Sequence, residues 1–389
     1  MTKRTFSMQN LFIITLILLL GSCGKEKNKY FTIPDQVNDA IETITFKEAG
    51  IDEAIIKTMV DSIVSNNYPN IHSVLILRNN KLLFEEYFPG EDQIRGIGKV
   101  GILEHHRDSL HDMRSVSKSF VGAAIMIAME KEKIKSLDQR LFDFFPEFSK
   151  QDTGMKRQIT IQHLLNMSAG LEWDETIPYT NPMNSEIRMN TSPDAIEFVL
   201  SQPMVTEPGT TFNYSGGCSQ VLAAIVERAT GVSVDKFLEE NLFGPLGIEN
   251  YTWVKAKDGK PSAASGLRLR SRDMAKFGLV YMSNGKWRGK QVIPTSAVAQ
   301  TIKTQIATPF TDSLIAPYVG YSNQFWIITE IIKADTSTYA QCQGNGGQLI
   351  VQDKKNDLLL IVTAGNYNQF LRKSSFDIYA DFVYPAIIK

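Results

Sequence analysis

The chain has 389 residues, of which 43% are hydrophobic, with 41 Lys and Arg against 42 Asp and Glu for a formal net charge of −1. That balance gives no basis for nucleic-acid binding, and the length allows one or two domains with an ample core. Neither a Cys-x-x-Cys pair nor histidines at ligand spacing appears, so no metal or other cofactor is expected. His72, His105, His106, His111 and His163 are assigned to solvent or supporting roles.

Lys3 and Arg4 precede a stretch, residues 11 to 20, that is apolar apart from Thr15 and leads into Leu20-Gly21-Ser22-Cys23. This is the layout of a secretory signal whose apolar part is short for a bilayer span. Leu-Gly-Ser-Cys resembles the bacterial lipoprotein signal, which implies cleavage before Cys23 and lipidation of its thiol. The expected organisation is a signal peptide at 1–22, a lipidated tether at 23–40 and a folded domain at 41–389, with the protein exported and lipid-anchored to the bacterial cell envelope. A plain cleaved signal is the alternative. Cys218 and Cys342 remain, read as two buried free thiols with a disulfide as the alternative.

Ile71 to Leu77 and Lys81 to Phe88 are β-rich runs joined at Arg78-Asn79-Asn80, a hairpin signal. Helical patterns follow at 120–134, 159–167, 193–200, 218–230, 234–242 and 271–282, separated by Gly, Pro or Asn breaks. Strand texture returns at 324–332, 348–352 and 357–363, and 376–387 reads as a closing helix. The order predicts an α+β fold: an antiparallel sheet built from both chain ends, flanked by helices, with a mainly helical insertion at about 121–310.

Ser-x-x-Lys occurs at Ser22, Ser115, Ser233 and Ser283. Only Ser115 leads into an uninterrupted apolar helix, where polar residues at the start need a special reason. Residues three apart share a helix face, so Lys118 can bring its amine to the Ser115 hydroxyl near the helix N-terminus. Partial burial is expected to lower the lysine pKa and free the amine as a proton acceptor.

Beyond Ser115-Val116-Ser117-Lys118 stand His163-Leu164-Leu165-Asn166-Met167-Ser168-Ala169-Gly170-Leu171, Phe212-Asn213-Tyr214-Ser215, Pro245-Leu246-Gly247-Ile248, and Gly266-Leu267-Arg268-Leu269 followed by Arg272-Asp273-Met274-Ala275-Lys276-Phe277-Gly278. In this order they resemble the serine β-lactamase, penicillin-binding protein and esterase superfamily, over about residues 45 to 385. The resemblance implies a β-lactamase/DD-peptidase-like fold and makes Tyr214 the tyrosine of a Tyr-x-Asn motif, shuttling a proton between Ser115 and the leaving group. It departs from the family at Gly216, where that motif has asparagine, and at Cys342-Gln343-Gly344, where the family has Lys-Thr-Gly on an edge strand. Both departures argue against an efficient β-lactamase or carboxypeptidase.

Gly344-Asn345-Gly346-Gly347-Gln348 and the small residue after Tyr214-Ser215 are similar to the 6-aminohexanoate-dimer hydrolase and carboxylesterase branch, which works on linear amides and esters. The Ser115 and Asn345 N–H groups are the expected oxyanion hole. Gly216, Gly344, Gly346, Gly347 and Tyr179 are assigned to substrate binding. The loop Trp173 to Asn190, with Tyr179, Asn181, Asn184 and Arg188, is expected to cover the pocket.

These readings give a serine hydrolase that forms an acyl-enzyme on a small-molecule or peptide ester or amide. The alternatives are β-lactamase or D-alanyl carboxypeptidase action, and a noncatalytic membrane-tethered binding protein of the same fold. A Ser-His-Asp hydrolase is set aside because no Gly-x-Ser-x-Gly elbow is present.

Overall fold

The computed structural model describes residues 30–310, 318–369 and 371–388. The expected signal peptide, Cys23 and the start of the tether lie outside the described residues. Residues 30–40, grouped with the tether on sequence, pack on the domain. The Phe31 and Phe46 rings stack with centroids 5.6 Å apart, the Thr32 N–H and hydroxyl donate to Glu86 at 2.6 and 2.7 Å, and Asp39 accepts from Arg272 at 2.8 Å. Tyr30 and Phe31 bring aromatic surface to bury, which draws this stretch onto the sheet.

Helix α1 (Glu53–Val64), capped by Asp52, precedes strands β1 (Ile71–Arg78) and β2 (Lys81–Tyr87). Asn79 and Asn80 join them at φ 52° and 61°, the left-handed pair of a tight hairpin turn that asparagine tolerates. Helices α2 (Val116–Glu130), α3 (Gly216–Thr230) and α4 (Ser271–Met282) follow. The chain then returns through β3 (Ile306–Ala307), β4 (Tyr318–Ser322), β5 (Phe325–Ile332), β6 (Asp335–Gly344), β7 (Gln348–Asp353) and β8 (Leu358–Ala364). All pair antiparallel in the order β3-β4-β5-β6-β7-β8-β1-β2, so both chain ends build one sheet as expected.

Side chains alternate between two cores, one on each face of the sheet. From β1, Leu75 and Leu77 join the core shared with α2, α3 and α4, while Val74 and Ile76 join the core under α1 and the C-terminal turns. Burial on both faces explains why β1 and β8 read as nearly continuous apolar runs. Within the insertion, α4 lies against the sheet, and Leu267–Leu269 pairs with His111–Asp112, so the inserted segment contributes to the sheet side as well as to the helical side.

Two expectations need correction. Cys342, Gln343 and Gly344 end β6, which lies between β5 and β7 and is no edge. Its hydroxyl and amide residues give it an edge-like texture, but Ser337 is buried and donates to Asp353 at 3.0 Å. The closing helix is a chain of short irregular turns over 375–386, where Pro385 removes an N–H from any regular helix.

Candidate active site

Ser115 occupies the N-cap of α2 but its side chain makes no capping bond. The residue before it, Arg114, has φ 48°, a left-handed conformation that is strained for a long side chain. The Ser115 hydroxyl instead accepts a hydrogen bond from Lys118 Nζ at 3.1 Å. Lys118 is 1% exposed, and its second donor bond goes to the Ala264 carbonyl at 2.9 Å. The Tyr214 phenol hydrogen bonds Ser115, and Lys118 Nζ lies 5.0 Å from the Tyr214 ring centre. Ser115, Lys118 and Tyr214, chosen from motifs nearly a hundred residues apart, thus converge at one point.

Two residues unforeseen in the sequence complete this group. Glu186 is buried, with Oε2 at 3.6 Å from Lys118 Nζ and free of hydrogen bonds; its Oε1 accepts from the Ser265 hydroxyl and lies 3.6 Å from the Arg95 guanidinium. Glu175 accepts from Trp173 Nε1 at 2.6 Å, from Tyr179 at 2.8 Å and from the Gly216 N–H. Desolvation works against the Lys118 ammonium, yet Tyr214, Glu186 and Glu175 around it outweigh that effect and raise its pKa. Lys118 is therefore an ammonium at neutral pH, which corrects the expectation of a free amine: burial alone would lower the pKa, but this lysine is buried with carboxylates. Burial raises Tyr214 above its ordinary value, with Lys118 opposing. Desolvation also raises Glu175, whereas in Glu186 it is overcome by Lys118 and Arg95, leaving that carboxyl below the usual range.

Gly216 packs against the two carboxylates. A Cβ there would sit 2.9 Å from Glu175 Oε1 and 3.0 Å from Glu186 Oε2, so the glycine makes room for the carboxylates. That vacancy in the tyrosine motif was the sequence signal for them, since whatever replaces a missing amide must come from elsewhere. Gly344 likewise serves the protein: a Cβ would lie 2.3 Å from the Met113 carbonyl, so it lets β6 close onto the segment carrying Ser115. Asn345 follows directly, its side chain paired with Asn368 at 2.7 and 2.8 Å.

A cavity of about 280 Å³ opens over Ser115, lined by Arg95, Arg114, Tyr179, Glu186, Ser265 and Asn345. A neighbouring cavity of about 390 Å³ shares Tyr179 and Asn345 and adds Gly346, Gly347, Leu371 and Phe376. From the expected covering segment, Glu175, Tyr179 and Glu186 reach the site. Asn184 instead caps the helix Ser185–Thr191, Asn181 holds its own turn, and Arg188 lies over Phe198. Cys218 and Cys342 are free and buried. His72, His105 and His111, assigned on sequence to solvent or supporting roles, are buried together, with His105 stacked on His72 and His111 tilted to both.

A serine at a helix start backed by a buried lysine, on a sheet built from both chain ends with a helical insertion, defines a class of serine hydrolases. The family model for beta-lactamase matches residues 71–378, and the chain belongs to that family. A relative in Escherichia coli K12, provisionally named a D-alanyl-D-alanine carboxypeptidase, is 24% identical over 284 residues, or 70% of this chain; the match spans 62% of the relative's length. Among solved structures, one from Bacillus anthracis, provisionally named a 6-aminohexanoate-dimer hydrolase, superposes with a TM-score of 0.67 at 19% identity, covering 92% of this chain and 90% of the other. A hydrolase with promiscuous acyltransferase activity superposes with a TM-score of 0.64 at 16% identity, covering 86% and 97%. These likenesses establish the shared fold.

Proposed function

We propose that the protein hydrolyses an ester or linear amide through an acyl-enzyme on Ser115, and the 3.1 Å bond between Lys118 Nζ and Ser115 Oγ carries this reading. Because Lys118 rests as an ammonium, it must first release a proton to solvent, a loss that the Glu186 carboxylate 3.6 Å away opposes. The amine so formed takes the Ser115 proton as Oγ attacks the carbonyl. The N–H groups of Ser115 and Asn345 hold the oxyanion, and Tyr214 protonates the leaving group. Water then releases the acyl group. The carboxylates beside Gly216 occupy the place of an amide-holding asparagine, and Cys342 and Gln343 replace the carboxylate-binding lysine and threonine, which favours esters and linear amides over penicillins. The test offers short p-nitrophenyl esters, linear amides and a fluorescent penicillin to the full-length protein. Ester or amide turnover without stable penicillin labelling supports the reading, and the reverse pattern replaces it with β-lactamase or carboxypeptidase action.

Glu186→Gln removes a carboxylate that keeps Lys118 charged, so the rise of kcat with pH should move to lower pH, with KM little changed. The wild-type kcat is expected to fall on the acid side, where Lys118 is held as the ammonium. It should keep rising into the alkaline range, because both Lys118 and Tyr214 have raised pKa values. A Glu186→Gln variant with wild-type kcat and pH profile removes Glu186 from the mechanism.

The lipoprotein-like Leu20-Gly21-Ser22-Cys23 supports export and anchoring at the envelope. No helix of the described residues is long and apolar enough to cross a membrane. Mass spectrometry of the N-terminal peptide from a bacterial host should find a diacylglyceryl thioether on Cys23 and none in Cys23→Ser, which should move to the soluble fraction. An unmodified Cys23 in the mature protein leaves only the plain signal.

A further inference from the structure

Three imidazoles meet behind the active-site segment. His72 lies on β1, His105 in the loop after the hairpin Gly90–Leu103, and His111 four residues before Ser115. His72 and His111 are 0% exposed and His105 is 9% exposed. Their ring centres are 3.9, 4.8 and 5.5 Å apart, and one nitrogen from each can be chosen so that all three lie within 4.8 Å of one another. Buried polar atoms ordinarily find partners, yet His72 Nδ1, His105 Nε2 and both ring nitrogens of His111 have none. A cluster of unpartnered imidazole nitrogens in a dry site is a standing cost unless something pairs with them.

We propose that His72 Nδ1, His105 Nε2 and one ring nitrogen of His111 bind a divalent transition-metal ion of the zinc type. Imidazole nitrogens suit zinc, cobalt, nickel and copper, whereas magnesium and calcium take oxygen ligands. Three nitrogens around a tetrahedral ion at about 2.1 Å stand roughly 3.4 Å apart, so nitrogens now up to 4.8 Å apart need to close in, and the stacked His72 and His105 rings need to turn until their in-plane lone pairs converge. The tautomer is already set on one of them. The His72 Nε2 lies 3.2 Å from the Glu91 carbonyl, and donating its proton there leaves Nδ1 as the bare, inward lone pair. An outer hydrogen bond of this kind orients a metal-ligating histidine. The nearby carboxylate of Asp112 is held by Arg268 at 2.7 Å and Arg114 at 3.3 Å, so it is committed to the guanidinium groups, and the ligand set is nitrogen only.

Sequence spacing gave no sign of this because the ligands sit at 72, 105 and 111, joined only when Leu267–Leu269 pairs with His111–Asp112 and β1 passes beneath. The ion would tie β1 to the strand that delivers Arg114 and Ser115. It is a brace for the nucleophile's segment and takes no part in the acyl transfer.

The test is a titration of chelator-treated, full-length protein with Co²⁺, followed by visible absorption, with Zn²⁺ as competitor and metal content read by mass spectrometry. One Co²⁺ per chain is expected, with nitrogen-ligand d–d bands abolished by an equivalent of Zn²⁺, and a melting temperature raised by either ion. His105→Gln, at the partly accessible corner, should weaken binding at least tenfold while keeping the fold. Wild-type protein that is folded yet takes up no Co²⁺ or Zn²⁺ overturns the proposal. So does binding of undiminished affinity in both His105→Gln and His111→Gln, which would place the ion elsewhere.

Discussion

Ser115→Ala should leave the protein folded and without acyl transfer. Ser115 makes no capping bond to α2, so removing its hydroxyl takes nothing from the helix, and losing its bonds to Lys118 and Tyr214 should cost about 1–3 kcal/mol, too little to unfold the chain. The rate loss should approach the roughly million-fold seen when a nucleophilic serine is deleted from a catalytic unit. A fluorophosphonate probe reads both sides of the claim: wild-type protein should gain one adduct, found by peptide mass spectrometry on Ser115, and the variant should gain none. An adduct that persists in Ser115→Ala puts the nucleophile on another side chain. A folded wild type that takes no probe, with Lys118 and Tyr214 in place, favours the binding-protein alternative.

Ser115 stands out in the amino-acid sequence by its context, not by its motif. Ser-x-x-Lys occurs at four places, but only one of them opens a helix apolar on all sides, and Phe120 stacked on Phe277 at 3.9 Å shows how that helix is buried. Strong periodicity also made the hairpin at Asn79-Asn80 and the helix Ser271–Met282 legible to within a residue. The strands β4 and β6 were harder, since Tyr318–Ser322 is short and Asp335–Gly344 is rich in polar side chains that find partners only across the finished sheet.

The electrostatics of the site were not legible at all. Lys118 is three residues from Ser115 in the chain, but the carboxylate that opposes its deprotonation, Glu186, arrives on the helix Ser185–Thr191, 68 residues further on. A lysine pKa depends on which charges share its burial, and spacing along a sequence holds no such information. The same limit hid the three histidines. Gly216 came nearest to a clue: an asparagine replaced by glycine signals a space, and Glu175 and Glu186 fill it.

The dual role of Lys118 can be separated from its chemistry. Lys118→Met should lower kcat by about 10²–10⁴-fold, because the proton of Ser115 then has no route to a base. It should also destabilise the protein by about 3–5 kcal/mol, since it removes the ammonium between two carboxylates and leaves an uncompensated buried charge. Adding Glu186→Gln removes one of those charges and turns the remaining contact into a neutral amide beside a thioether. The double variant should recover much of the lost stability, measured by chemical denaturation, yet stay as inactive as Lys118→Met alone. Arg95 tempers the recovery, because it loses its buried partner when Glu186 becomes an amide. If Lys118→Met is as stable as wild type, the ammonium is not what balances Glu186. If the double variant regains activity along with stability, Lys118 acts only by holding the fold, and the proton leaves Ser115 through Tyr214.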